Sequence, residues 1–259
     1  MGAMDRRYAE AMHANYLAAL QRITVLGSGG HAEQLPPWVL LDAGLDFDFF
    51  NIAAVREHVG DPTAAITGAA GWFDRREKPF RFMLRDTADA ALTEAAEAQG
   101  FQIDPYDREP AMLLRDFSVL PSAPPGLTIA RVAGEEDMGP YAAVEPSPAG
   151  DLGLRQSISR RALAIPGCAL FVGWMDGLAV ARSMSLVTAE MVGVYNVFVA
   201  PELRGRGYGR AMTAAAINAG LDAGATSACL SATPLGFPVY ERMGFRTVFH
   251  YLSLWRARD

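Results

Sequence analysis

Cysteine is nearly absent from this chain, and that scarcity excludes several chemistries at once. Only Cys168 and Cys229 occur, too few for a disulfide framework and too far apart for a zinc-type spacing. They read as buried free thiols in a reducing compartment. Histidine is as sparse: His13, His31, His58 and His250 share no ligand-like spacing, so no metal is expected. No apolar run approaches the ~20 residues that cross a bilayer, and the N-terminus has no signal-peptide core. A soluble, cytoplasmic protein is expected. Basic residues are also outnumbered, 23 Lys and Arg against 29 Asp and Glu, for a net charge of −6 and a pI near 5.3. That balance disfavours nucleic acid and anionic membranes as partners and mildly favours amines.

Apolar material is plentiful. Of 259 residues 51% are hydrophobic and 20% charged, enough for two cores, and the length exceeds the ~150 residues of a common single domain. A proline-rich stretch without periodicity, residues 117–126, reads as a semi-rigid linker between an N-terminal domain, 1–116, and a C-terminal one, 127–259.

In the first domain, residues 8–20 have helical apolar spacing. Ile23-Thr-Val-Leu-Gly27-Ser-Gly29-Gly-His31-Ala32 superficially fits a strand followed by a dinucleotide fingerprint. Pro36 and Pro37 cut short the helix that fingerprint needs, so the segment is taken as a loop. Strands are expected at 38–41, 49–55 and 80–84. Asp61-Pro62 is a capped helix start, for a helix to about 76. A second helix at 86–99 ends on Gly100, and short strands at 101–103 and 111–114 flank a turn at 105–110. Asp42, Asp46 and Asp48 among Phe47, Phe49 and Phe50 read as an acidic turn before a core strand, with an acidic, aromatic lip that attracts an amine as the alternative.

In the second domain, a strand at 127–132 precedes helical segments at 135–144 and 153–164. A hairpin, 168–185, turns on Asp176-Gly177. The strand 191–199 runs into Pro201 and then Arg204-Gly205-Arg206-Gly207-Tyr208-Gly209-Arg210, followed by a helix at 210–223. A strand, a glycine turn and a helix start form an anion site: the glycines let backbone N–H groups turn inward, and the helix start adds about half a positive charge. A strand at 227–232, a short helix at 238–243 and a closing strand or bent pair at 245–255 complete the order.

Val-x-Pro followed by Arg204-x-x-Gly207-x-Gly209 resembles the acetyl-coenzyme A signature of the GCN5-related N-acetyltransferase (GNAT) superfamily. Thr233-Pro-Leu-Gly236-Phe237-Pro-Val-Tyr240-Glu-Arg-Met-Gly244-Phe245 resembles its second motif, with Thr233 and Gly236 where many members carry Asn and Ala. The resemblance covers residues 127–256. The first domain is similar only in its helix-then-Gly100-Phe101 step and lacks the glycine turn, so it reads as a degenerate GNAT-like domain or an unrelated α/β cap. The implied fold is α/β (α+β), a mixed sheet flanked by helices and preceded by a smaller α/β domain.

The resemblance implies acetyl-CoA as co-substrate, without a metal. Arg204, Gly205, Arg206, Gly207, Tyr208, Gly209 and Arg210 would hold the pyrophosphate, and Val197, Phe198 and Val199 the pantetheine amides. Thr233, Phe237 and Tyr240 would border the arm. A backbone N–H near Val199 would stabilise developing oxyanion charge, and Tyr240 would be the general acid. No carboxylate lies on either central strand. Tyr195, Asn196, Glu145, Asp151, Glu190 or a water chain remain as routes for the amine proton. The expected function is acetyl transfer to a small primary amine. A catalytically idle CoA-binding or regulatory module and an acyltransferase for protein N-termini or lysines are the alternatives, and a homodimer stays open.

Overall fold

A computed structural model describes residues 3–28, 30–44, 50–144 and 162–256. The chain opens with α1 (Ala3–Ser28), which lays Ala9, Met12, Tyr16 and Leu20 on the sheet at helical spacing. The segment from residue 23 onward, expected as a loop, begins as the last part of this helix. Its β-branched residues are poor helix formers, but extending a packed helix costs far less than nucleating one. β1 (His31–Leu35) and β2 (Trp38–Asp42) form a hairpin turned by Pro36–Pro37, joined by a cis bond. β1 is silent in the sequence because His-Ala-Glu-Gln-Leu is a largely solvent-facing edge without apolar alternation.

β3 (Ile52–Val55) pairs with β2 and leads to α2 (Pro62–Asp74). Asp61 caps α2, its carboxylate accepting from Ala64 N–H at 3.0 Å. β4 (Arg81–Arg85) returns parallel to β3, and α3 (Ala90–Ala98) precedes β5 (Phe101–Leu114). α3 starts later than expected because Asp86 instead accepts from the His250 backbone N–H at 2.9 Å and from Arg108 at 2.9 Å. The two strands expected at 101–103 and 111–114 are the ends of β5. Between them, Ile103 faces Leu254 and Arg108 faces Leu252, so the proline-containing stretch bulges rather than turning.

The second half runs β6 (Thr128–Arg131), α4 (Met138–Ala143), β7 (Cys168–Met175), β8 (Leu178–Thr188), β9 (Met191–Val199), α5 (Tyr208–Asp222), β10 (Ser227–Ser231), α6 (Phe237–Glu241) and β11 (Arg246–Arg256). Asp176 and Gly177 take φ of 50° and 78°, the paired left-handed values of a type I′ hairpin turn. β11 is one strand, not a bent pair. Most of the helix expected at 153–164 falls outside the described residues, as do Asp46, Phe47, Asp48 and Phe49 of the acidic cluster. Asp42 closes a local turn, accepting from Gly44 N–H at 2.8 Å.

The strands form one mixed sheet of order β1-β2-β3-β4-β11-β5-β10-β9-β8-β7-β6. α1 and α4 cover one face and α2, α3 and α5 the other. β2–β3–α2–β4 and β8–β9–α5–β10 repeat one layout: an antiparallel pair, a helix, then a parallel return. The closing strands are exchanged between these units. β11 lies between β4 and β5, and β5 lies between β11 and β10. Among the described residues, no helix is long and apolar enough to cross a membrane.

α1 is pinned by Asn15, which is fully buried and donates to Leu186 O at 3.1 Å and Thr188 Oγ1 at 2.7 Å while accepting from the Tyr195 hydroxyl. Gly193 makes room for this contact: a Cβ there would overlap Asn15 Oδ1 and the Tyr195 ring. Gly193→Ala is expected to cost ~1–3 kcal/mol through overpacking. A thermal melt reads this as a lower Tm, and an unchanged Tm contradicts the contact.

Candidate active site

The glycine turn sits where the end of β9 meets the start of α5. Gly205 and Gly207 take φ of 78° and 83°, and Gly207 is the N-cap of α5. Left-handed backbone at both positions explains why glycine stands there. Over residues 201–210, three exposed guanidinium groups, Arg204, Arg206 and Arg210, outweigh the carboxylate of Glu202. The first N–H groups of a helix have no intrahelical acceptor, so this end of α5 carries donors and positive potential together. The matching end of α2 cannot serve this way: Asp61 occupies its donors with a carboxylate and Pro62 supplies no N–H.

The side chains around the turn divide their work. Arg204 folds back, Nε donating to Val199 O at 3.2 Å with its guanidinium 5.5 Å from the Phe198 ring centroid. Tyr208 turns inward, buried with its hydroxyl 3.2 Å from Met175 Sδ, so only its backbone faces the turn. Gly209 lies over Val199, and its carbonyl accepts from Thr213 Oγ1 at 2.9 Å.

Beside the turn, the sheet opens. β9 and β10 are paired in parallel only at Met191–Gly193 against Ser227–Cys229. Beyond that point Leu230 and Ser231 pair with Met112 and Ala111 of β5, while Tyr195, Phe198 and Val199 pair with β8. A gap therefore opens between these strands. Within β9, a bulge sets Asn196 and Val197 against Ser183, and Asn196 takes φ 52°. Asparagine tolerates this conformation better than most residues. An Asn interrupting an apolar strand was the signal for a bulge, which re-aims the strand beside the gap.

Val197, Val199, Phe237 and Tyr240 pack on the same core cluster, on the face covered by α5. The Thr233 hydroxyl caps the turn into α6, accepting from Gly236 N–H at 3.2 Å. Gly236 admits the Tyr240 ring, since a Cβ there would approach Tyr240 Cε2 to 2.8 Å. Burial pushes the Tyr240 phenol up to about 12, partly offset by a hydrogen bond with Thr213. Thr213, fully buried, escaped notice because a single Thr inside an alanine-rich helix carries no motif.

The candidates for the amine proton fare differently. Glu190 lies in the β8–β9 turn, at the opposite end of β9 from Val199 and thus ~25–30 Å away. Its carboxylate is 3.8 Å from Arg7. Tyr195 donates to Asn15, and burial holds its phenol well above the usual tyrosine value. Glu145 and Asp151 lie outside the described residues. Cys229 is buried and Cys168 half-buried, and desolvation pushes both free thiols up to about 12, too high for nucleophiles near neutral pH.

This arrangement, a splayed parallel pair closed at one end by a glycine turn and a helix start, defines an α/β protein of the acetyltransferase (GNAT) fold. The sequence model of the acetyltransferase (GNAT) domain matches residues 166–247, which hold both motifs. No curated protein matches the chain. A GCN5-related N-acetyltransferase from Kribbella flavida is similar over 97% of this chain and 96% of its own, with 21% identity and a TM-score of 0.74. A tandem GNAT protein from the clavulanic acid biosynthesis pathway is similar over 97% and 95%, with 14% identity and a TM-score of 0.66. A GCN5-related N-acetyltransferase from Sphaerobacter thermophilus is similar over 93% and 91%, with 16% identity and a TM-score of 0.63. The similarity in fold thus extends across both halves of the chain.

Proposed function

We propose that the chain is a cytoplasmic N-acetyltransferase that moves an acetyl group from acetyl-CoA to a primary amine of a small molecule. One observation carries this: the gap between β9 and β10 opens beside the glycine turn at the head of α5. The N–H groups of residues 205–209 with Arg204, Arg206 and Arg210 would hold the pyrophosphate. The edge of β9 at Val197, Phe198 and Val199, which β10 leaves, would take the pantetheine amides, with Thr233 and Phe237 bordering the arm. Acetyl-CoA supplies the thioester. In this reading residues 1–116 and 127–259 are two domains in chain order, and only the second holds co-substrate. Coverage of the other face by α1 supports a small acceptor over a protein chain.

Tyr240 would protonate the departing sulfur. A phenol near 12 stays protonated at every working pH. It is also a weaker acid than a thiol of ~8.5, so transfer needs a stabilised tyrosinate, and the Thr213 hydrogen bond supplies part of that. Tyr240→Phe is expected to lower kcat by ~10²–10⁴ with CoA affinity near wild type. Thiol-release kinetics and calorimetry measure the two; unchanged turnover removes the acid role.

The absence of a carboxylate from β9 and β10 favours a second reading, a CoA-binding module without turnover. An amine panel assayed by thiol release decides between them. Heat of CoA binding with no release supports the module.

A further inference from the structure

We propose that Glu109, carried to the gap by the exchanged strand β5, is the general base that deprotonates the acceptor ammonium. The proposal rests on the acetyltransferase reading above. β5 runs antiparallel to β10 with Ala111 opposite Ser231, and Ala232 N–H donates to Pro110 O at 3.0 Å. That pairing sets Glu109 diagonal to Ser231 on one face of the sheet, within reach of a long side chain. Ser231 Oγ donates to Glu109 Oε2 at 2.6 Å. Ser231 also lines a small cavity, about 10 Å³ and so roomy enough for about one water, together with Tyr195 of β9, Tyr251 of β11 and Tyr16 of α1. Those walls come from both sides of the gap, so Ser231 holds the half-buried Glu109 carboxylate at its margin.

Strand alternation separates the two proton-handling groups. Ala111, Cys229 and Tyr251 pack on the face beneath α1, and Glu109 and Ser231 share their parity. Tyr240 packs on the opposite face with α5. An acceptor entering under α1 would meet a carboxylate, while the sulfur leaves toward a phenol. A carboxylate at this margin favours a cationic primary amine as the acceptor.

An aliphatic ammonium, pKa ~10, gives one proton to the Glu109 carboxylate. The freed nitrogen lone pair forms the C–N bond at the thioester carbon while the C–S bond breaks. The sulfur takes a proton from Tyr240, which recovers the second nitrogen proton, and Glu109 passes its own to solvent. One proton is released per amide formed.

The test compares wild type with Glu109→Gln, which keeps an acceptor for Ser231 but cannot take a proton. Thiol release is followed from about pH 5 to about pH 9, with an amine panel and with water alone as acceptor. CoA binding is measured by calorimetry and folding by melting. The expected result is a fall of ~10²–10⁴ in kcat/KM and loss of the acidic limb of the pH profile, with CoA affinity and Tm unchanged. Glu109→Asp should recover part of the rate, and Ser231→Ala should shift the limb. If wild type turns over and Glu109→Gln matches it with the limb intact, the base assignment falls and the acetyltransferase reading stands. If wild type neither binds CoA nor releases thiol, both fall.

Discussion

Residues 1–116 and 117–259, produced as separate chains, are each expected to fail to fold cooperatively, and mixing them should restore a single melting transition. The strand exchange dictates this outcome. Leu252 and Leu254 of β11 belong to the core under α2 and α3, and Phe249 and Tyr251 to the core under α1. Burying four such side chains contributes ~6–12 kcal/mol at ~1.5–3 kcal/mol each. That is comparable to the whole ~5–15 kcal/mol stability of a typical domain. The second half loses Met112 and Leu114 of β5 from its own core in return. Each fragment would also expose unpaired strand edges, which invite aggregation. Calorimetry and circular dichroism of each fragment and of the mixture provide the check, and a sharp transition from either fragment alone would contradict the exchange.

Gly207→Trp is expected to weaken CoA binding by ~10²–10⁴-fold, the equivalent of losing about two charge-assisted hydrogen bonds at ~1.5–3 kcal/mol each. A Cβ at Gly207 meets nothing within 4 Å, so the indole would fill the cradle rather than clash with the protein. The φ of 83° adds strain, and Gly224 controls for it: φ there is 91°, its Cβ position is equally open, and it lies past the far end of α5. Gly224→Trp should therefore carry a similar penalty in Tm without the loss of affinity. Equal affinities for the two variants, measured by titration calorimetry, would remove the turn from the binding site.

Legibility in the sequence follows how local each constraint is. The Asp176-Gly177 hairpin and the Gly205–Gly207 turn demand a left-handed backbone, and few residue types meet that demand. The Asp61 cap and the helix–Gly-Phe steps are equally local. The partners of β5 and β11 are not, because their pairing depends on tertiary register, and either strand would have read as closing its own half. Glu109 was invisible for the same reason: 122 residues separate it from Ser231. The tail of α1 and the polar edge β1 failed differently. In both, tertiary packing overrode intrinsic propensity.

The exchange also sets a schedule for biosynthesis. β4 pairs with β11 through contacts such as Arg85 with Tyr251, residues far apart in the chain. When Leu114 leaves the ribosome, β10 and β11 have not been made. At ~5–20 residues per second, the end of β11 arrives ~7–28 s later. Through that interval β4 and β5 have open hydrogen-bonding edges, and the first half cannot complete its sheet until the last strand of the chain arrives.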